Sequence, residues 1–354
     1  MKLFWSLLLC AAVIFAPSTF SAAQAPRINT ANIECREYQD SVSNETIFAL
    51  SVEAYQNLWG NVVKWMAKVE DNKVNGWTHK YTVDGDADFS CTVWENNYNK
   101  NTYAMVLSGT DDLLQEPLET YLPMMVNEEL CPQLKQTVEQ TKKMNTHGLN
   151  RIDRLYITGY SLGGYLSNFL ATELVDDANG YETNISLSDI SPTLLIENVK
   201  CVSFAAPGFY IEKLDIPAIN NVIDRIANSV NKVTSWTKAK MGRDAEGLYD
   251  DTITNILNGR DPVANLPIAI VNIMNFLKKP IDIKVPEKAF RQVGKVIKVE
   301  NPGEPPLAKT PLLGALIQKM VSVETDSIAG VLYHAPDTYF KCIDMIEQGK
   351  CTVL

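Results

Sequence analysis

Apolar and polar positions along the chain alternate between two periods. Leu50, Val52, Tyr55, Leu58, Trp59, Val62, Val63 and Met66 share roughly one face at helical spacing, so residues 48–69 are expected to form a helix. Trp77–Val83 and Ser90–Trp94 are short runs rich in strand formers, and Asp84-Gly85-Asp86 between them is a turn signal. After a polar loop at 96–101, Tyr103–Leu107 is apolar throughout, which predicts a strand buried on both faces. Residues 127–144 read as a helix, Leu155-Tyr156-Ile157 as a strand, and Tyr165, Leu166, Phe169, Leu170 and Leu174 as the apolar face of another helix. Further strands are expected at Val199–Ala205, Thr252–Leu257 and Arg291–Val299. A long, mainly helical insertion fills about 209–250, Pro267–Phe276 is a buried helix, and a helix near 311–322 follows a Pro-rich loop. Strands that alternate with helices predict an α/β fold with a mostly parallel central sheet flanked by helices.

Composition narrows the picture. Lys2 followed by the apolar run Leu3–Phe15 and the small residues Ser21-Ala22-Ala23 reads as a signal peptide over 1–23, hence a secreted, extracellular protein. No later stretch is apolar for long enough to span a membrane. Removing residues 1–23 from 354 leaves 331, read as a single domain over 24–354. Loss of Lys2 leaves 31 basic residues against 42 acidic ones, a net charge of about −11. That charge argues against nucleic acid as a partner; the oligomeric state stays open, with a monomer plausible. Cys35, Cys91, Cys131, Cys201, Cys342 and Cys351 remain, an even number that suggests disulfides in a secreted chain. None shows C-x-x-C spacing, and no metal or organic cofactor is expected. Asn44-Glu45-Thr46 and Asn184-Ile185-Ser186 are glycosylation sequons.

Candidate chemistry centres on Gly159-Tyr160-Ser161-Leu162-Gly163-Gly164, placed between the predicted strand and the predicted helix. Gly-x-Ser-x-Gly in that context marks a nucleophile elbow, with Ser161 at the apex of a sharp turn. The amide of Leu162, at the helix N-terminus, is one candidate donor to an oxyanion. On an α/β-hydrolase fold the acid and then the histidine follow the serine along the chain. Of the three histidines, His79 and His147 precede Ser161, which leaves His334. For the acid, Asp261 in Asn258-Gly259-Arg260-Asp261-Pro262 lies just past a predicted strand, because Pro262 cannot continue it; Asp224 is the alternative. A second oxyanion donor is expected from the loop after an early strand, where Ser108-Gly109-Thr110 supplies the Thr110 amide.

These motifs resemble the class 3, fungal-type secreted lipases. The resemblance rests on the Gly159–Gly164 elbow, on Gly109-Thr110 after a strand and on Asp261-Pro262-Val263-Ala264-Asn265-Leu266-Pro267. It also rests on His334 followed by Tyr339-Phe340, and it covers about residues 48–345. Tyr160 stands where that family usually has His, and Ser108 where it usually has Arg. The resemblance implies a serine ester hydrolase acting on lipid esters at a lipid–water interface through a Ser161–Asp261–His334 triad and an acyl-enzyme. A phospholipase A1 or a polysaccharide-ester (feruloyl-type) esterase is the alternative within the class, and a catalytically inactive lipid-binding protein the alternative outside it. The resemblance also places a helical lid just after the oxyanion loop. Residues 111–126 fit, with Leu113, Leu114, Leu118, Tyr121, Leu122, Met124 and Met125 interleaved with Asp111, Asp112, Glu116 and Glu119. Relatives often tie an N-terminal cysteine to one near the C-terminus, so Cys35 is expected to bond Cys342 or Cys351.

Overall fold

The computed structural model describes residues 42–53, 74–85, 89–108, 132–149, 151–210, 239–261, 264, 290–302 and 334–354. Asp224, Thr110, the 111–126 segment, Pro267–Phe276, the 311–322 stretch and residues 1–23 lie outside these.

At the centre is an eight-stranded sheet in the order β1-β2-β3-β4-β5-β7-β9-β10. The strands are β1 Trp77–Asp84, β2 Ser90–Asn96, β3 Thr102–Leu107, β4 Arg154–Tyr160, β5 Val199–Phe204, β7 Ile253–Asn258, β9 Lys295–Val299 and β10 Thr352–Val353. Two-residue strands β6 (Phe209–Tyr210) and β8 (Phe290–Arg291) pair apart from it. The expected parallel strands form the centre of the sheet, and its edges are antiparallel. Strands β3, β4, β5, β7 and β9 run parallel in the middle, while β1 and β2 at one edge and β10 at the other are antiparallel. At the β1–β2 edge the physical reason is connection length. Only short loops join β1 to β2 and β2 to β3, and a hairpin needs just such a loop, whereas a parallel crossover needs a dozen residues or more.

Both faces of the parallel strands are covered, which explains their unbroken apolar runs. Along β3, Tyr103, Met105 and Leu107 enter one core and Ala104 and Val106 the other. Along β4, Leu155 and Ile157 face the first, Tyr156 and Tyr160 the second. The first core takes the helices α2 (Pro132–Lys142) and α3 (Leu162–Ala178). The second takes α1 (Asn44–Glu53) and α5 (Pro336–Glu347). A one-turn helix, α4 (Leu187–Ile190), lies between α3 and β5 in sequence. Helix α3 is buried from Leu162 to Asp176, as expected of a helix enclosed by protein on most sides.

Three boundaries differ from the sequence reading. Helix α1 begins at Asn44, earlier than expected, because the Ser43 hydroxyl accepts from the Thr46 amide at 3.2 Å; residues 54–73 lie outside the described set. The expected strand 291–299 is two strands in different sheets. Gly294 separates them at φ +71°, and a Cβ there would meet the Ile253 carbonyl oxygen at 2.7 Å. The insertion expected as helical over 209–250 starts as strand β6, and residues 239–244 are helical.

Behind the sheet, the far half of α3 is tied by buried charges. Lys240 Nζ lies 2.8 Å from Glu173 Oε1 and 2.6 Å from Asp176 Oδ2. Asp176 also accepts from Arg243 at 2.6 Å and from the Tyr249 hydroxyl at 2.8 Å. Nearer the elbow, Asn168 and Ser203 both donate to Asn255 Oδ1, at 2.6 and 2.7 Å. These bonds tie α3 and β5 to Asn255 on β7, and β5 is the strand beside the elbow.

Candidate active site

Strand β4 ends at Tyr160 and α3 starts at Leu162, so Ser161 alone makes the turn between them. Its backbone sits at φ 60°, ψ −127°. A non-glycine residue reaches such angles only when its surroundings hold it there. The hold is visible. The Ser161 amide donates to the Phe204 carbonyl on β5 at 2.9 Å. A Cβ on Gly159 would lie 2.3 Å from the Gly163 backbone and 2.7 Å from the Leu107 carbonyl oxygen. On Gly164 it would lie 3.0 Å from the Phe204 carbonyl oxygen. Both glycines are therefore needed for the strand and helix to cross this closely.

Asp261 lies just past the end of β7. Its amide donates to the Asn258 carbonyl at 3.0 Å, and Gly259 N donates to the Val299 carbonyl on β9 at 2.8 Å. The short turn so formed lifts Asp261 above the sheet's carboxyl edge, where Ser161 also stands. His334 arrives from the C-terminal side. Ala335 and Pro336 follow, and Pro336 opens α5 at a position where its missing N–H costs nothing.

Ser161, Asp261 and His334, separated by 73 to 173 positions along the chain, form one hydrogen-bonded line. His334 Nδ1 lies 2.8 Å from Asp261 Oδ2 and His334 Nε2 lies 3.0 Å from Ser161 Oγ. A carboxylate can only accept, so Nδ1 carries the proton and Nε2 presents its lone pair to the serine hydroxyl. All three side chains are buried, with Asp261 at 0% and Ser161 at 3% exposure. Asp261 Oδ2 also accepts from the Tyr339 hydroxyl at 2.6 Å, and the Asn258 amide donates to that hydroxyl oxygen at 3.3 Å. Burial, then the neighbouring Asp261 charge, holds the Tyr339 phenol well above its usual range, so it stays a donor. Burial, with the Asp261 charge second, pushes the Cys342 thiol up to about 12. The imidazole of His334 is stacked on the Tyr160 ring, with centroids 5.0 Å apart and planes at 24°.

Leu162 occupies the first position of α3, so its N–H has no carbonyl one turn back to bond. Thr110, the other expected donor, lies outside the described residues. His79 and His147 are engaged elsewhere. His79 Nε2 bonds Thr82 Oγ1 at 2.8 Å, and His147 stacks on Tyr81 at 4.4 Å. Among the described residues, no group of three His, Cys, Asp or Glu side chains is gathered to hold a metal, and no helix is long and apolar enough to cross a membrane. Cys91, Cys201 and Cys342 are buried free thiols, which corrects the pairing of Cys35 with Cys342. The other pairing involves Cys35, outside the described residues.

The two contacts that tyrosines make in the site, Tyr160 on His334 and Tyr339 on Asp261, have no local signature in the sequence. Tyr339 lies five residues past His334, an interval that brings it under Asp261 only because α5 starts at once. No protein-family description matches the chain, and no curated protein matches it. Among solved structures it is similar to "M37 lipase", at 16% identity and a TM-score of 0.39, covering 87% of this chain and 95% of that one. A likeness that distant does not bear on the chemistry.

Proposed function

We propose that the protein is a secreted serine ester hydrolase that cleaves carboxylic esters of lipids through an acyl-enzyme, with Ser161 as nucleophile, His334 as base and Asp261 as orienting acid. The observation that carries this reading is the line Ser161 Oγ–His334 Nε2, His334 Nδ1–Asp261 Oδ2 at 3.0 and 2.8 Å, with the serine at a strained turn. In the first step Nε2 takes the hydroxyl proton as Oγ bonds the ester carbonyl carbon. The carbonyl electron pair moves onto oxygen, beside the Leu162 amide and, in this reading, that of Thr110. One such donor is typically worth about 3 kcal/mol. Collapse expels the alcohol, which takes the proton from His334, and water then repeats the sequence to release the acid. Asp261 stays ionised and stabilises the imidazolium; Tyr339, bonded to the same oxygen, fixes its carboxylate.

The lipid substrate is supported by the resemblance to class 3 lipases and by the apolar 113–125 stretch. A phospholipase A1 or a polysaccharide-ester esterase would use the same machinery, and rates on short and long nitrophenyl esters, a triglyceride emulsion, a phospholipid and a feruloyl ester separate them. Ser161→Ala is expected to lose about 10^4-fold or more in kcat/KM while folding normally. A folded Ser161→Ala protein with near wild-type hydrolysis would sink the proposal. Absence of ester hydrolysis in the wild type would favour an inactive lipid-binding protein.

A further inference from the structure

We propose that Tyr160 is a positioning residue whose ring stabilises the cationic form of His334, so that the residue before the nucleophile tunes the base that activates it. The inference rests on the reading of His334 as that base.

Tyr160 is the last residue of β4, 3% exposed, and its ring stacks on the imidazole at 5.0 Å and 24°. It is itself held. Phe48 meets it edge-on at 5.9 Å and Tyr339 at 5.8 Å, with planes at 70° and 79°. Edge-to-face contacts on an aromatic ring restrict its tilt. The imidazole therefore meets a fixed surface, and it can neither swing away from Ser161 nor flip without breaking the stack. Because Tyr160 adjoins Ser161 in the chain, the strand that sets the nucleophile also sets this surface.

The electronic consequence follows from the ring's quadrupole, whose negative face attracts a cation. When His334 takes the Ser161 proton, the imidazolium lies against that face with water excluded. Asp261 neutralises it in the ring plane through Nδ1; Tyr160 acts from above the plane. Among the described residues, the other groups near His334 are the following. Ser161 bonds Nε2. Tyr339 and the Cys342 thiol act through Asp261 and stay neutral, since burial and that charge raise both. Asp337, three residues on, accepts from the Thr338 hydroxyl at 3.5 Å.

The test replaces Tyr160 in the full-length protein with phenylalanine, 4-fluorophenylalanine and 3,4,5-trifluorophenylalanine, which keep the ring but progressively weaken its negative face. Phenylalanine, which removes the hydroxyl and keeps the ring, is the reference for the two fluorinated variants. Across the series the acid limb of the kcat/KM–pH profile should then move stepwise to lower pH, by about half a unit in all, because the cation loses support and the base becomes weaker. The pH-independent rate should fall by less than tenfold. Thermal melting, measured alongside, should not move with the series. An acid limb that stays in place across all three variants overturns the inference, as does a loss in phenylalanine alone, which would assign the effect to the hydroxyl. A His334→Ala variant that retains hydrolysis with the wild-type acid limb would overturn the underlying reading instead.

Discussion

Ser161, Asp261 and His334 were all reachable from residue type and order, because a nucleophile elbow has a local signature and a chain with three histidines leaves one after the serine. Tyr339 was not, since nothing in a sequence says which hydroxyl lies under a carboxylate 78 positions away. Its removal supplies a prediction. Tyr339→Phe removes the 2.6 Å hydroxyl bond to Asp261, and kcat is expected to fall about tenfold, with KM nearly unchanged, in steady-state ester hydrolysis. Asp261→Asn cannot accept from Nδ1 in the same way, favours the wrong tautomer, and is expected to lose about 10^4-fold. At Gly159 the effect is on folding rather than chemistry. Gly159→Ala forces a methyl group to 2.3 Å from the Gly163 backbone, and urea unfolding is expected to show a loss of about 3 kcal/mol or more.

Elements were legible where one period dominated. The parallel strands stood out because two cores make them apolar on both faces, and α3 because its buried surface is nearly continuous. The break at Gly294 was hidden by apolar residues on both sides of it, and β6 by being two residues long. The ion cluster behind α3 was hidden by distance, its partners being 64 to 73 positions apart. Lys240→Met tests it by leaving Glu173 and Asp176 buried without their lysine. Breaking a buried pair from one side typically costs about 3–5 kcal/mol, so the urea midpoint should drop sharply while the Ser161 site keeps its specific activity at low temperature. An unchanged midpoint would show that the cluster contributes nothing net. Residues 111–126 carry a separate expectation as a lid. If they gate the site, the rate should rise sharply when a short-chain ester passes its solubility limit, and Leu118→Ser or Leu122→Ser should remove the rise. Smooth saturation through the limit, insensitive to both changes, would make the site permanently open.

At the scale of the whole molecule, three distant segments meet above one sheet edge: the β4–α3 turn, the end of β7 and the start of α5. The α/β layout that achieves this was legible from alternating periods, whereas the antiparallel edges became clear only from strand pairing. The proposed secretion and the proposed Cys35–Cys351 bond belong together, because a bridge between the two ends of the chain forms and persists in an oxidising compartment. Peptide mapping of unreduced protein should recover that pair, and Cys35 found as a free thiol would remove it. The central claim is that one activated serine carries an acyl group, and labelling with a nitrophenyl alkylphosphonate tests it most directly. Intact mass should rise by a single phosphonyl adduct as ester hydrolysis disappears, peptide mapping should locate the adduct on Ser161, and Ser161→Ala protein should remain unlabelled. An adduct on a different residue that abolishes activity, or full hydrolysis in protein phosphonylated at Ser161, would contradict the account.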